Sequence, residues 1–201
     1  MKNVHRLLLF AIACLLCATS LAQPATRRIR GEITGIDGLA LHVRTRLGEN
    51  VKIALDEKYG VNGVIKTDVA MIKPGTYVGT ATLPQPDGTQ RALEVLVLPE
   101  TARGSNEGHY PWDLQPGSMM TNATVAEIVR IDPDHRMTLR YKDGEKVVIV
   151  PADAPIVTFE PGDRDLVKVG AHVIITATVR PDGTLSASRI TVGKNGLVPP
   201  M

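Results

Sequence analysis

The side chains in this sequence best suited to chemistry are His109, Met119 and Met120. An imidazole and two thioethers are soft donors, a set that suits Cu(I). Adjacent Met residues on an extended chain point to opposite sides, so both reach one ion only through a turn. The favoured alternative is that the two Met pack their segment against the rest of the protein. Asp132-Pro133-Asp134-His135 offers carboxylates and an imidazole to a hard cation or to zinc. It aligns with the Asp37-Gly38 turn earlier in the chain and reads better as a polar hairpin turn. Asp163-Arg164-Asp165 reads as the cap of a helical turn with solvated charge. Tyr110, Trp112 and Asp113 form the candidate binding surface, because a purely flexible linker has little use for aromatic side chains.

Signatures of catalysis are missing from the sequence. There is no phosphate loop, no G-x-G-x-x-G, no H-E-x-x-H and no G-x-S-x-G. His42, His109, His135 and His172 lie in four separate segments. The expectation is a protein that is not an enzyme and holds no cofactor, with copper as the alternative. A hydrolase stays open as a third class, since a triad is defined in space and not by spacing.

Export is the clearest signal. Lys2 and Arg6 precede an apolar run, Leu7 to Leu16, and small residues Ser20 and Ala22 stand at the −3 and −1 places before Gln23. That is the layout of a cleaved secretory signal peptide over residues 1–22. Its apolar run is shorter than the roughly 18 residues of a spanning helix, and no later stretch is long enough. A lipoprotein anchored through Cys14 is a weaker alternative, because Ala11-Ile12-Ala13 poorly matches a lipid-attachment box. Both cysteines, Cys14 and Cys17, fall in the leader, so Gln23 to Met201 has no disulfide and no thiol nucleophile. The 23 basic residues include Lys2 and Arg6, which leaves 21 against 21 acidic ones and no formal net charge. With few aromatics to stack on bases, that balance argues against nucleic acid as a partner. Arg27-Arg28-Arg30 reads as a solvated N-terminal tail, or as a contact for anionic lipid or glycan.

The elements that must position these residues come from an internal repeat. Ile72–Val97 aligns without a gap on Val167–Val192, at an offset of 95, with nine identities in 26 places. Pro86-Asp87-Gly88-Thr89 meets Pro181-Asp182-Gly183-Thr184. Glu32-Ile33 falls on Glu127-Ile128 at the same offset, and Gly48-Glu49 meets Gly144-Glu145 after one inserted residue. Partial alternation of apolar and polar residues, broken by Gly and Asp-Gly turns, reads as short strands. Thr67 to Ile72 and Arg164 to Val167 each suit one helical turn.

The expected fold is all-β: two tandem small β-barrel (OB-like) repeats of five to six short strands each, after the signal peptide. Closure removes exposed sheet edges. The first barrel is placed at 23–99, a Gly/Pro-rich linker docked between repeats at 100–120, and the second barrel at 121–201. Modules this small are marginal alone, so the copies are expected to pack together or share strands. The steps Ile72-Lys73-Pro74-Gly75-Thr76-Tyr77-Val78 and Val167-Lys168-Val169-Gly170-Ala171-His172-Val173, each followed by a Pro-Asp-Gly-Thr hairpin, resemble an exported bacterial family of unknown function built from tandem small OB-like barrels. The resemblance implies fold and location and carries no catalytic residue. The functional expectation is a binding or interaction module of the periplasm, or a secreted one, with an unknown protein or cell-envelope ligand as partner. The alternative is a metal-binding accessory protein, of the kind associated with metal transport, that uses the His/Met-containing linker.

Overall fold

A computed structural model describes residues 24–131 and 133–201. Residues 1–23, with the expected signal peptide and its cysteines, and Asp132 lie outside the described residues. The chain is all-β, with strands β1 (Thr26–Asp37), β2 (Ala40–Thr45), β3 (Asn50–Lys66), β4 (Tyr77–Pro84), β5 (Gln90–Ala92), β6 (Val95–Val97), β7 (Gly108–Pro111), β8 (Met119–Ile131), β9 (Asp134–Tyr141), β10 (Gly144–Val150), β11 (Ile156–Pro161), β12 (His172–Val179) and β13 (Leu185–Gly193). No helix among the described residues is long and apolar enough to cross a membrane.

Two five-stranded rings close, but neither is built from one half of the chain alone. In the first ring β1, β2 and β3 pair in sequence, β13 runs parallel to β3, and β12 joins β13 to β1. In the second ring β8, β9 and β10 pair in sequence, β5 runs parallel to β10, and β4 joins β5 to β8. Each ring therefore takes three strands from one half of the chain and two from the other. The expected boundaries, a barrel at 23–99 and another at 121–201, are corrected in this respect: strands are exchanged between them. The length of β3 is the physical reason. Seventeen residues at ~3.3 Å each span roughly 55 Å, more than a small ring needs. Residues 50–54 pair with β2 inside the first ring, and residues 62–66 pair with β11 beyond it.

The registers of the exchange are symmetric. Ile53 pairs with Leu185, and Val148 with Gln90, each member of one pair lying 95 places from a member of the other. Val61 with Ile190 and Ile156 with Val95 repeat the relation. The antiparallel pair β3–β11 is centred on Val64 opposite Phe159, also 95 apart. A pseudo-two-fold axis thus passes through this strand crossing.

Alternation fills the cores. Ile29, Ile33, Leu41, Val43, Ile53, Ile175 and Ile190 point into the first ring, and Val78, Ala123, Val125, Met137, Leu139 and Val148 into the second. A third cluster, Val64, Val157 and Met201, sits at the crossing with Leu96, Phe159 and Ile174 packed against it. The two Pro-Asp-Gly-Thr turns are alike. Asp87 and Asp182 each accept from the backbone N–H and hydroxyl of the Thr two residues on, and Gly88 and Gly183 hold φ of 83° and 81°. Single 3-10 turns form at Val69–Met71 and Arg164–Leu166, capped by Asp68 and Asp163.

One sequence alignment needs correction. The bulge of β1 lies between Ile33 and Gly35, and that of β8 between Val125 and Glu127. Ile33 exchanges backbone bonds with Gly170 and Ala171, as Val125 does with Gly75 and Thr76. Ile33 therefore stands where Val125 does, not where Ile128 does. The second hairpin extends five pairs beyond its bulge against three in the first.

Candidate functional site

The segment between the aligned stretches is ordered and reaches both rings. After a 3-10 turn at Glu100–Ala102, Arg103 donates to the Gly75 carbonyl at 2.8 Å and to Thr124 Oγ1 at 3.0 Å. The Tyr77 hydroxyl donates to the Ser105 carbonyl at 3.0 Å, and its ring is buried under this cover. The aligned His172 is only half-buried, which accounts for an aromatic at one place and a polar ring at the other. β7 then pairs with the start of β8. Ser118 braces the connection, its hydroxyl donating to the Trp112 carbonyl at 2.9 Å or the Gln115 carbonyl at 2.7 Å.

Beyond β7 the chain meets β1. The Arg28 guanidinium lies 3.8 Å from the centroid of the Trp112 ring, a cation–π contact worth about 0.5–2 kcal/mol. Asp113 accepts from Arg28 at 2.5 Å and from Arg30 at 2.7 Å. Burial pushes the Asp113 carboxyl up, but the hydrogen bonds and charges of Arg30 and Arg28 outweigh it and hold the group below its usual range. Arg27 pairs with Glu49. The cluster Arg27-Arg28-Arg30 is therefore paired within strand β1, which corrects the solvated-tail reading: apposed carboxylates and an indole occupy these charges. Tyr110 meets Trp112 edge-on at 6.1 Å, and its hydroxyl accepts from Asn122 Nδ2 at 2.7 Å.

These residues roof a cleft of about 570 Å³ at the strand crossing. Tyr110, Trp112 and Met120 line it together with Arg28, Leu96, Phe159, Ile174 and Met201. The 95-residue relation shows in its walls, since Gly79 and Ile174 both line it, as do Leu96 and Thr191. Asp113 stands outside it, anchoring the roof through the two arginines.

At the wall lies a residue that sequence reasoning passed over. Glu94 falls in the break between β5 and β6 and is wholly buried. Its Oε1 accepts from the Ala81 N–H at 2.9 Å, and its own carbonyl accepts from the Thr80 hydroxyl. The carboxylate thus stands in for a missing ladder carbonyl. Among the described residues Oε2 has no partner, and neither has the buried Nε1 of Trp112. Burial pushes the Glu94 carboxyl up to about 8, against the opposing Ala81 hydrogen bond. The group is a neutral acid at neutral pH. The fold itself does not require it. Arg189 holds the aligned place, also at a break in register, and is exposed. That contrast of Glu with Arg was the trace of Glu94 itself in the sequence.

The soft-metal set is divided by the pleat. His109 sits opposite Thr121 and Met119 opposite Pro111, whereas Met120 sits opposite Tyr110, on the alternate face. His109 Nδ1 lies 2.9 Å from Thr121 Oγ1. Burial first, and the Lys146 charge second, hold its imidazole below its ordinary value. His109, Met119 and Met120 therefore do not converge, because β8 is extended where a turn was needed. Among the described residues no three His, Cys, Asp or Glu side chains gather as metal ligands. Asp134, from the second candidate, accepts from the Ala152 N–H at 3.1 Å, and Asp163 caps its helical turn by accepting from the Asp165 N–H at 3.0 Å.

No family model, no curated protein and no solved structure matches this chain.

Proposed function

We propose that this is an exported, non-enzymatic protein of the periplasm or beyond, built from a duplicated β-barrel module, and that it acts as a binding module through the cleft at its strand crossing. Export rests on the leader pattern of residues 1–22, and duplication on the aligned sequences and their matching registers. One observation carries the binding reading: a fully buried carboxyl, Glu94, with one oxygen unpartnered at the wall of an apolar cleft. An unsatisfied buried polar group costs about 1–3 kcal/mol, and a ligand group offsets that cost. Apolar walls with a few polar groups and a shifted acid are the common make-up of small-molecule sites, and about 570 Å³ falls within their size range.

The reading is tested with Nile red, a neutral apolar dye, titrated into the protein and into Ile174→Trp, which fills the cleft from its wall. Saturable binding to the parent, lost in the filled variant, supports the site. Equal binding to both, or binding to neither, refutes it.

A further inference from the structure

We infer that the cleft takes a cationic amine on an apolar body, with the ammonium seated against Glu94. This rests on the binding reading above and names its ligand class. The sign of charge comes from the walls. Among the described residues lining the cleft, the acids and bases other than Tyr110 are Arg28, Glu94 and Glu107. Arg28 shares the Asp113 carboxylate with Arg30 and is covered on one face by Trp112. Glu107 accepts from the Lys142 backbone N–H, which leaves its charge in place. With Glu94 ionised the lining holds two carboxylates against one arginine already bound to Asp113, which favours a cation over an anion. Once ionised, the unpartnered Glu94 oxygen accepts from a donor, and a charge-assisted bond to an ammonium is roughly twice as strong as one between neutral groups. The body of the ligand meets Leu96, Phe159, Ile174, Met120 and Met201; the two thioether chains adapt readily to its shape.

The charges balance through one proton. The resting Glu94 is a neutral acid and the amine arrives protonated, so the Glu94 proton passes to the buffer as the ion pair forms. Tyr110 is the remaining titratable group at the cleft, and burial pushes its phenol further up, away from neutral pH.

The experiment is calorimetry at neutral pH with three ligands that share a body: naphthylethylamine, naphthylethanol and naphthylacetate. Each is run in phosphate and in Tris, whose ionisation heats differ. The amine is expected to bind at least about tenfold more tightly than the alcohol, with the acetate weakest. Its heat should differ between buffers by about one proton per site. Glu94→Gln should erase both the amine's advantage and the buffer difference, while alcohol binding persists. If the alcohol or the acetate matches the amine, or Glu94→Gln changes nothing, the amine assignment is overturned and the binding reading stands on the alcohol. If none of the three binds and Nile red fails too, both fall.

Discussion

Glu94→Gln should change how stability depends on pH more than any other single substitution. In the folded protein burial lifts this carboxyl from 4.5 to about 8. Between those values the group is protonated when folded and ionised when unfolded, so unfolding releases a proton and stability falls as pH rises. The contribution of the neutral acid is complete below about pH 4.5 and is lost progressively as pH climbs to about 8. Each pH unit in the window is worth about 1.4 kcal/mol. At pH 7 the loss amounts to about 3 kcal/mol, and over the full window to about 5 kcal/mol as an upper bound. Gln has nearly the same shape, can still accept from the Ala81 N–H, and does not titrate. The assay is urea unfolding of parent and variant at four pH values from about 5 to about 8. The stability of the parent minus that of the variant should fall by about 1.4 kcal/mol per unit. Other titrating groups, His109 among them, cancel in that difference. A difference that stays flat across the window would mean that Glu94 is ionised in the folded state, and the buried-acid account would fail.

Trp112→Ala removes the Arg28 stack and the Tyr110 edge contact, and should lower stability by about 2 kcal/mol in urea melts; no change would show that the roof does not hold the rings together. Gly79→Ala places a Cβ 2.6 Å from Asn122 Oδ1. The amide must then turn away from Tyr110 and from the Asn106 carbonyl it bonds at 3.1 Å, at about 1–2 kcal/mol, and faster hydrogen exchange confined to residues 105–112 would report it. Strand exchange predicts that residues 24–104 and 105–201, made as separate chains, form little sheet alone and recover it on mixing, as followed by circular dichroism; a cooperative melt from either piece alone would contradict the exchange.

Fold class was legible because its signals are local. Asp-Gly turns force hairpins, and alternation in stretches such as Leu41-His42-Val43 assigns faces without reference to distant chain. Sharing of strands was one of two expected arrangements, but which strands are exchanged was not legible, for the same reason. Alternation says which face of β13 is buried, but Leu185 can fill a ring built by either half of the chain, and the full length of β3, beyond the short strand expected from Val51 to Leu55, shows only in the structure. The hairpin of β8 and β9 misled the alignment, since two added pairs beyond the bulge shift Glu127-Ile128 away from Glu32-Ile33 while leaving the apolar period intact. Tyr110 and Trp112 stood out as aromatics in a polar segment, and both line the cleft. Glu94 did not stand out, because in Leu93-Glu94-Val95 it looks like the solvent-facing residue of an alternating strand. Its burial comes from the break between β5 and β6 and from the cleft wall around it, both products of tertiary structure. Met119 and Met120 were paired by adjacency in sequence, which in a strand places them on opposite faces.

The most direct test is a carbon-13 NMR titration of the Glu94 side-chain carboxyl, assigned by its loss in Glu94→Gln, in the free protein and with naphthylethylamine at saturation. The account predicts a midpoint near 8 in the free protein and a carboxylate already ionised at neutral pH when the amine is bound. A free-protein midpoint near the ordinary 4.5, unmoved by the amine, would contradict it.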